Sequence, residues 1–304
     1  MTTKWQVLDL TGTTCRVRYE RGSLLITHEG RELGHAVLAT LAVVLLGSKS
    51  TISTGALSVC AQRDISVLLC DWRGVPTGGL YGWNETSRVG ARHRAQATLT
   101  LPRQKNAWGR LVKAKIAGQA HTLGLLKQPG TPYLSRLASE VKSGDPKNAE
   151  AQAARFYWKK LFGNRDFSRI PGSDEAVNAL LNYGYTVLRG HGIRAVLSAG
   201  LSPTLGIFHR GRANPFSLVD DLIEPFRPVV DFVVGELVDA NELDISPHVR
   251  KTLVEASRLG FGHNFRVTTE FSRLAQSFAR YVEGEIDRLP VPTWSGPDEA
   301  DDDE

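Results

Sequence analysis

His209 lies in a turn-rich strip (Gly206, Gly211, Asn214, Pro215) that runs directly into Phe216-Ser-Leu-Val-Asp-Asp-Leu-Ile-Glu224. A neutral imidazole offers a lone pair and carboxylates offer hard oxygens, so the two together suit a divalent cation. Phe216, Val219, Leu222, Ile223 and Phe226 recur at helical spacing, which predicts one helix over 216–224 with a buried face. On it Asp220 and Asp221 stand four and three residues before Glu224, close enough to share a face with it. Asp220 and Glu224 border the apolar stripe, whereas Asp221 is expected further round, towards solvent. The same residues also read as a hydrogen-bonded loop histidine and a solvated acidic face, with Glu224 paired to Arg227.

Such a cation site needs a further ligand, and Glu150 is the candidate. In Ala149-Glu-Ala-Gln-Ala-Ala-Arg-Phe-Tyr-Trp-Lys-Lys-Leu-Phe162 the apolar stripe is read as Ala154, Tyr157, Trp158 and Leu161. Four residues before Ala154 stands Glu150, on the buried side of that helix. A lone carboxylate turned into a core costs several kcal/mol unless it is paired or metal-bound. A first-turn glutamate favoured by the helix dipole and still wet is the competing reading. No G-x-S-x-G, P-loop or dinucleotide fingerprint offers a rival chemistry.

The elements that must position these residues fall into two regions. Short β-branched or alternating segments (residues 5–10, 15–19, 23–27 and 65–72), with a helix over 53–63, predict a small antiparallel β domain. From Arg88 onward long helical patterns take over: 107–126, from 149, 174–188, 229–237, 246–259 and 269–289. Arg189-Gly-His-Gly192 reads as a turn. The fold class is therefore α+β, an antiparallel β-sandwich over 1–87 followed by an all-α region over 88–289. Residues 290–304, with three prolines and an acidic run, are expected to be disordered.

Composition sets further limits. The longest apolar run, residues 36–46, is about half of what a membrane span requires. The chain opens without a signal-like segment, so a cytoplasmic protein is expected. Cys15, Cys60 and Cys70 lack C-x-x-C spacing and read as buried free thiols. The net charge of +5 becomes +11 once the six acids of residues 298–304 are set aside. A basic body favours polyanions. Arg88, Arg92, Arg94, Arg103, Lys105, Arg110, Lys113 and Lys115 form the densest basic stretch, with Trp108 between them. Arg210 and Arg212, flanking His209, are candidate phosphate contacts, as are Arg110 and Lys113. A solvated helix surface is the alternative.

Three motifs in order carry a resemblance: Ala149-Glu-Ala-Gln-Ala-Ala-Arg-Phe-Tyr-Trp-Lys-Lys-Leu-Phe-Gly-Asn164, Asn178-Ala-Leu-Leu-Asn-Tyr-Gly-Tyr-Thr-Val-Leu188, and Leu205-Gly-Ile-Phe-His209 through Leu222-Ile-Glu-Pro-Phe-Arg-Pro228. Together with residues 65–79 they resemble the metal-dependent integrase-endonuclease of CRISPR adaptation, the large Cas subunit that inserts spacers, over about 5–288. The resemblance implies a β-sandwich that builds a homodimer and a helical catalytic domain. Glu150, His209 and Glu224 would be its catalytic and metal-binding residues. Many relatives use aspartate last, so Asp220 and Asp221 stand as alternative or outer ligands. It further implies Mg²⁺ or Mn²⁺, attack by a prespacer 3′-hydroxyl on a leader-repeat phosphodiester, and a small ferredoxin-like second subunit. Phe162-Gly-Asn-Arg-Asp-Phe167 and the short chain look most like the subfamily beside a single-protein RNA-guided effector. A nuclease on branched DNA and a non-catalytic DNA scaffold remain the alternatives.

Overall fold

The computed structural model describes residues 6–71, 76–82, 88–162, 167–261 and 265–297. The chain divides into two compact units, Met1–Glu85 and Thr86–Glu304.

The first unit holds β1 (Gln6–Leu10), β2 (Cys15–Glu20), β3 (Ser23–His28), β4 (Arg31–Val37), β5 (Leu41–Leu46), β6 (Ser50–Ile52), α1 (Thr54–Gln62), β7 (Ser66–Cys70) and β8 (Pro76–Leu80). They form two four-stranded sheets, β1-β5-β7-β8 and β4-β3-β2-β6. Alternation sets the faces: in β2, Cys15 and Val17 are buried while Arg16 and Arg18 are exposed. One shared core, including Val17, Leu24, Ile26, Val44, Leu46 and Val67, takes side chains from both sheets, and Ala56 and Cys60 of α1 join it. The expectation of purely antiparallel pairing needs correction. β1–β5, β5–β7 and β2–β6 run parallel. The β2–β4 meander lies between β1 and β5, and α1 lies between β6 and β7. A chain that leaves a sheet and returns in the same direction pairs in parallel. All three cysteines are free and buried.

The second unit is helical among its described residues: α2 (Val89–Ala97), α3 (Leu101–Leu125), α4 (Thr131–Glu140), α5 (Ala149–Leu161), α6 (Ala176–Ser198), α7 (Ser217–Leu222), α8 (Arg227–Asp239), α9 (Pro247–Glu255) and α10 (Val267–Val282). Two long helices organise it. α3 packs on α4, α5 and α8, and α6 packs on α7, α8, α9 and α10. Among the described residues no helix is long and apolar enough to cross a membrane.

Three expectations change here. The predicted turn Arg189-Gly-His-Gly192 lies inside α6, which runs unbroken. A Cβ on Gly192 would come within 2.7 Å of Phe271 Cζ and 2.8 Å of Val219 Cγ1. That glycine lets α6 approach its neighbours rather than turning the chain. The predicted helix over 216–224 is shorter, ending at Leu222; Pro225 sits in a 3₁₀ turn, Glu224–Phe226, and Pro228 opens α8. The expected disordered tail is laid down over 290–297, where Trp294 is fully buried against Phe232 and Phe261. The acidic residues 298–304 fall outside the described residues.

Candidate active site

α5 begins where Asp145 accepts hydrogen bonds from the Ala149 and Glu150 backbone N–H groups at 2.8 and 2.9 Å. That cap satisfies two of the helix's orphan donors and fixes the first turn that carries Glu150. The buried stripe of α5 is Ala149, Ala153, Tyr157 and Leu161: Tyr157 and Leu161 are buried as the spacing suggests, but Ala149 and Ala153 are buried in place of Ala154 and Trp158. Glu150 therefore flanks the stripe, with a side chain 22% exposed.

Lys115 joins the two glutamates. Its Nζ lies 2.6 Å from Glu150 Oε1 and 2.6 Å from Glu224 Oε2. Glu224 is almost fully buried, and its other oxygen accepts from Arg227 Nε at 2.9 Å. Oε2 of Glu224 meets the Lys115 ammonium as an ion pair. Burial pushes the Glu224 carboxyl up, but the Arg227 and Lys115 charges outweigh it and hold the pKa at about 2. Burial likewise works against the Lys115 ammonium, and Glu224 and Glu150 reverse it, leaving its pKa above the ordinary lysine value.

His209 is braced by Asp221, which is completely buried. Asp221 accepts from the backbone N–H groups of Ile207, Phe208 and His209 at 2.5, 3.1 and 3.1 Å, and meets His209 Nδ1 at 2.7 Å. The loop wraps this carboxylate closely: a Cβ on Gly206 would stand 2.9 Å from Asp221 Oδ2. The expectation that Asp221 faces solvent is thus overturned, because α7 presents it to the 205–209 loop whose amide donors need an acceptor. A hydrogen on Nδ1 leaves Nε2 as the ring nitrogen with a lone pair. The hydrogen bond to Asp221 raises the His209 pKa, burial opposes it, and the Asp221, Glu224 and Asp220 charges add to the rise. Asp220 is held apart by Arg189 at 2.9 Å and Asn214 at 2.7 Å. Beside His209, Phe208 stacks on the buried Trp108 with ring centroids 4.1 Å apart.

Glu150 and Glu224 are therefore brought together. His209 stands near enough to feel Glu224, but among the described residues no three His, Cys, Asp or Glu side chains converge as a metal cluster. The carboxylate pair still fits a cation, since the Lys115 ammonium already lies between the two. Most of the predicted basic surface is spent on packing. Arg88 and Arg92 both clamp Glu283. Arg103 reaches the Tyr281 and Ile286 carbonyls, and Arg110 reaches that of Leu289. Lys113, Arg210 and Arg212 stay exposed, with Arg210 hydrogen-bonded to Gln104. Spacing sets Lys115 among Leu111, Ala114, Gly118 and Leu125 as well as in the basic stretch, but does not announce its contact with the glutamates. Its signal was its place on a buried face, one turn after Leu111 and one before Gly118. Behind the site Asp231 accepts from the Tyr157 hydroxyl at 3.1 Å and from that of Tyr185.

The chain thus combines a two-sheet β unit with a helical unit in which paired glutamates share the Lys115 ammonium and a buried carboxylate braces His209. The family model described as CRISPR associated protein Cas1 matches residues 8–259, and the chain belongs to that family, the CRISPR-associated endonuclease/integrases. It is 36% identical over 245 residues to the "CRISPR-associated endonuclease Cas1" of Neisseria meningitidis serogroup C (strain 8013), covering 79% of each chain. It is 31% identical over 286 residues to the "CRISPR-associated endonuclease Cas1 2" of Pyrobaculum aerophilum, covering 87% of this chain and 95% of that one. Among solved structures, a Cas1 protein from Thermotoga maritima superposes with a TM-score of 0.76 at 15% identity, covering 92% and 97% of the two chains. A "Casposase bound to integration product" gives 0.72 at 18% identity, covering 100% and 96%. At such identities these two speak for the fold.

Proposed function

We propose that the protein inserts short prespacer DNA into the CRISPR array by metal-dependent transesterification. The observation that carries this reading is the convergence of Glu150 and Glu224, from elements far apart in sequence, on one cation at 2.6 Å each. Glu150, Glu224 and Nε2 of His209 would hold Mg²⁺ or Mn²⁺, ions that accept oxygen and imidazole ligands together. When bound, the ion supplies Lewis acidity at the scissile phosphate and charge stabilisation for the attacking and leaving oxygens. Asp221 keeps the His209 ring in one orientation and one tautomer. Arg210 and Arg212 neutralise backbone phosphates at the rim, and Lys113 does so on α3. The prespacer 3′-oxygen forms a bond to phosphorus as its proton goes to solvent. The bond to the repeat strand's 3′-oxygen breaks, and that oxygen takes up a proton. One phosphodiester replaces another, so no ATP is required.

The same reading assigns the β-sandwich unit to homodimer formation and a small ferredoxin-like subunit as partner. For the second subunit, what supports it is the resemblance to a solved complex whose printed name is "Cas6-RT-Cas1--Cas2 complex", at a TM-score of 0.75; the homodimer rests on the family resemblance alone. It places the protein in the cytoplasm beside a single-protein effector; of the motif supporting that last point, residues 163–166 lie outside the described residues. The test is a strand-transfer reaction with a short duplex, a supercoiled plasmid and Mn²⁺. Joined products support the integrase. Cuts without joining favour a nuclease on branched DNA, and binding alone leaves a scaffold.

A further inference from the structure

Lys115 occupies a position on α3 where the helix face otherwise carries buried apolar residues such as Leu111. Its side chain is only 13% exposed, and its ammonium touches both glutamates at 2.6 Å. Two carboxylate oxygens drawn that close to one nitrogen leave no space between them for a second cation. Charge gives the same answer. Glu150 and Glu224 are already balanced by Lys115 and by Arg227, which holds the far oxygen of Glu224 at 2.9 Å. A divalent ion added to this set would leave two uncompensated positive charges in a largely buried place, at a cost of several kcal/mol. An ion that replaces the ammonium leaves one such charge instead of two, so exchange is favoured over addition.

We propose that Lys115 is the resident counter-cation of this centre: its ammonium fills the position between Glu150 and Glu224 in the metal-free protein, and a divalent ion binds there by displacing it. The proposal rests on the metal centre argued above. It explains how two facing carboxylates persist without metal, since unpaired they would repel and take up protons. It also sets the affinity. Molecules in which the ammonium is in place do not bind the ion, so the apparent dissociation constant exceeds the intrinsic one by the reciprocal of the open fraction.

The experiment is a calorimetric titration of Mn²⁺ into the full chain without DNA, comparing the unaltered protein with Lys115→Met. Removing the competitor should tighten Mn²⁺ binding about tenfold or more. Equal or weaker binding by folded Lys115→Met overturns the proposal. Because that variant leaves one carboxylate charge uncompensated and can misfold, a second measurement uses the unaltered protein. Lysines are acetylated with an N-hydroxysuccinimide ester, with and without saturating Mg²⁺, and read by mass spectrometry. Labelling of Lys115 should rise severalfold with Mg²⁺, while exposed Lys251 on α9 stays constant. Unchanged Lys115 labelling under conditions where the ion binds sinks the idea. Absence of metal binding in both proteins removes the metal centre and the proposal with it. Metal binding with Lys115 displaced but no strand transfer removes only the integrase reading.

Discussion

At the scale of single residues, the site divides into groups facing the reaction and groups that hold them. Glu150→Gln and Glu224→Gln keep side-chain shape and remove one charge each, so both should abolish Mn²⁺-dependent strand transfer at unchanged circular dichroism. Asp221→Asn should lose a smaller factor, on the order of 10–100-fold, because it disturbs the His209 ring and the loop amides it anchors without removing a group that faces the reaction. Near-normal transfer by either glutamine variant would falsify the assignment. Asp231 makes a separate, pH-dependent prediction. Burial raises its pKa from 3.8 to about 6, against the hydrogen bonds from Tyr185 and Tyr157. A carboxyl that binds its proton more tightly when folded stabilises the fold below pH 3.8, and that contribution is lost as pH rises through about 6. The shift corresponds to about 3 kcal/mol. Glu224, held at about 2, acts in the opposite sense and in a lower window, gaining its stabilising effect as pH rises from 2 towards 4.5. The melting temperature of Asp231→Asn minus that of the unaltered protein should therefore climb between pH 4 and 6, and a flat difference there refutes the shift. Helical spacing foretold the burial of Glu224, whereas Glu150 flanks its stripe instead of lying on it, and its approach to Glu224 through Lys115 is a tertiary fact that spacing does not carry. Asp221 was misplaced because its acceptor role answers loop amides that no side-chain periodicity records.

At the scale of elements, spacing located the helices well and their ends poorly. The α1 cap is an exception: Ser53 accepts from Ala56 N–H, a local arrangement that serine before a helical run announces. α6 is the opposite case. Glycine in a helix interior ordinarily marks a weak point, and replacing it with alanine in an exposed helix stabilises by about 0.5–1 kcal/mol. In α6 the reason for glycine is tertiary, the approach of Phe271 and Val219, which lie 79 and 27 positions further along the chain. Gly192→Ala should consequently destabilise, by about 1–3 kcal/mol, through overpacking. The urea midpoint of the variant checks it: a rise in midpoint would mean that α6 has room at Gly192. The β unit shows the same limit. Sequence pattern identified β1, β2, β3 and β7 but not β4, β5, β6 or β8, and strand direction depends on which crossovers the chain takes, information spread over 6–80.

At the scale of the whole molecule, the end of the chain carries two opposed roles that composition merged into one. Prolines and acids together read as disorder, and the single aromatic that contradicts this, Trp294, was outweighed. Leu289 and Trp294 are fully buried, and Gly118 and Leu125 of α3 lie against Trp294 and Gly296, so 289–297 form a strap along that helix. Among the described residues the Trp294 indole N–H has no hydrogen-bond acceptor, so apolar packing alone anchors it. Losing a buried tryptophan costs about 3–5 kcal/mol. In a unit of this size that corresponds to a fall in melting temperature of roughly 10 °C, at about 2–4 °C per kcal/mol. The six acids beyond it add negative charge to the chain. If the protein binds DNA as proposed, such acids compete with phosphate for its basic surface, an effect screened beyond about 10 Å at 0.1 M salt. Two truncations separate these roles. Deleting 290–304 should lower the melting temperature strongly. Deleting only 298–304 should leave it nearly unchanged and tighten binding of a short duplex, with the gain shrinking as salt is raised. If the shorter deletion leaves the dissociation constant unchanged at low ionic strength, the acidic run does not visit the DNA surface. If the longer one leaves the melting temperature intact, Trp294 does not anchor the strap.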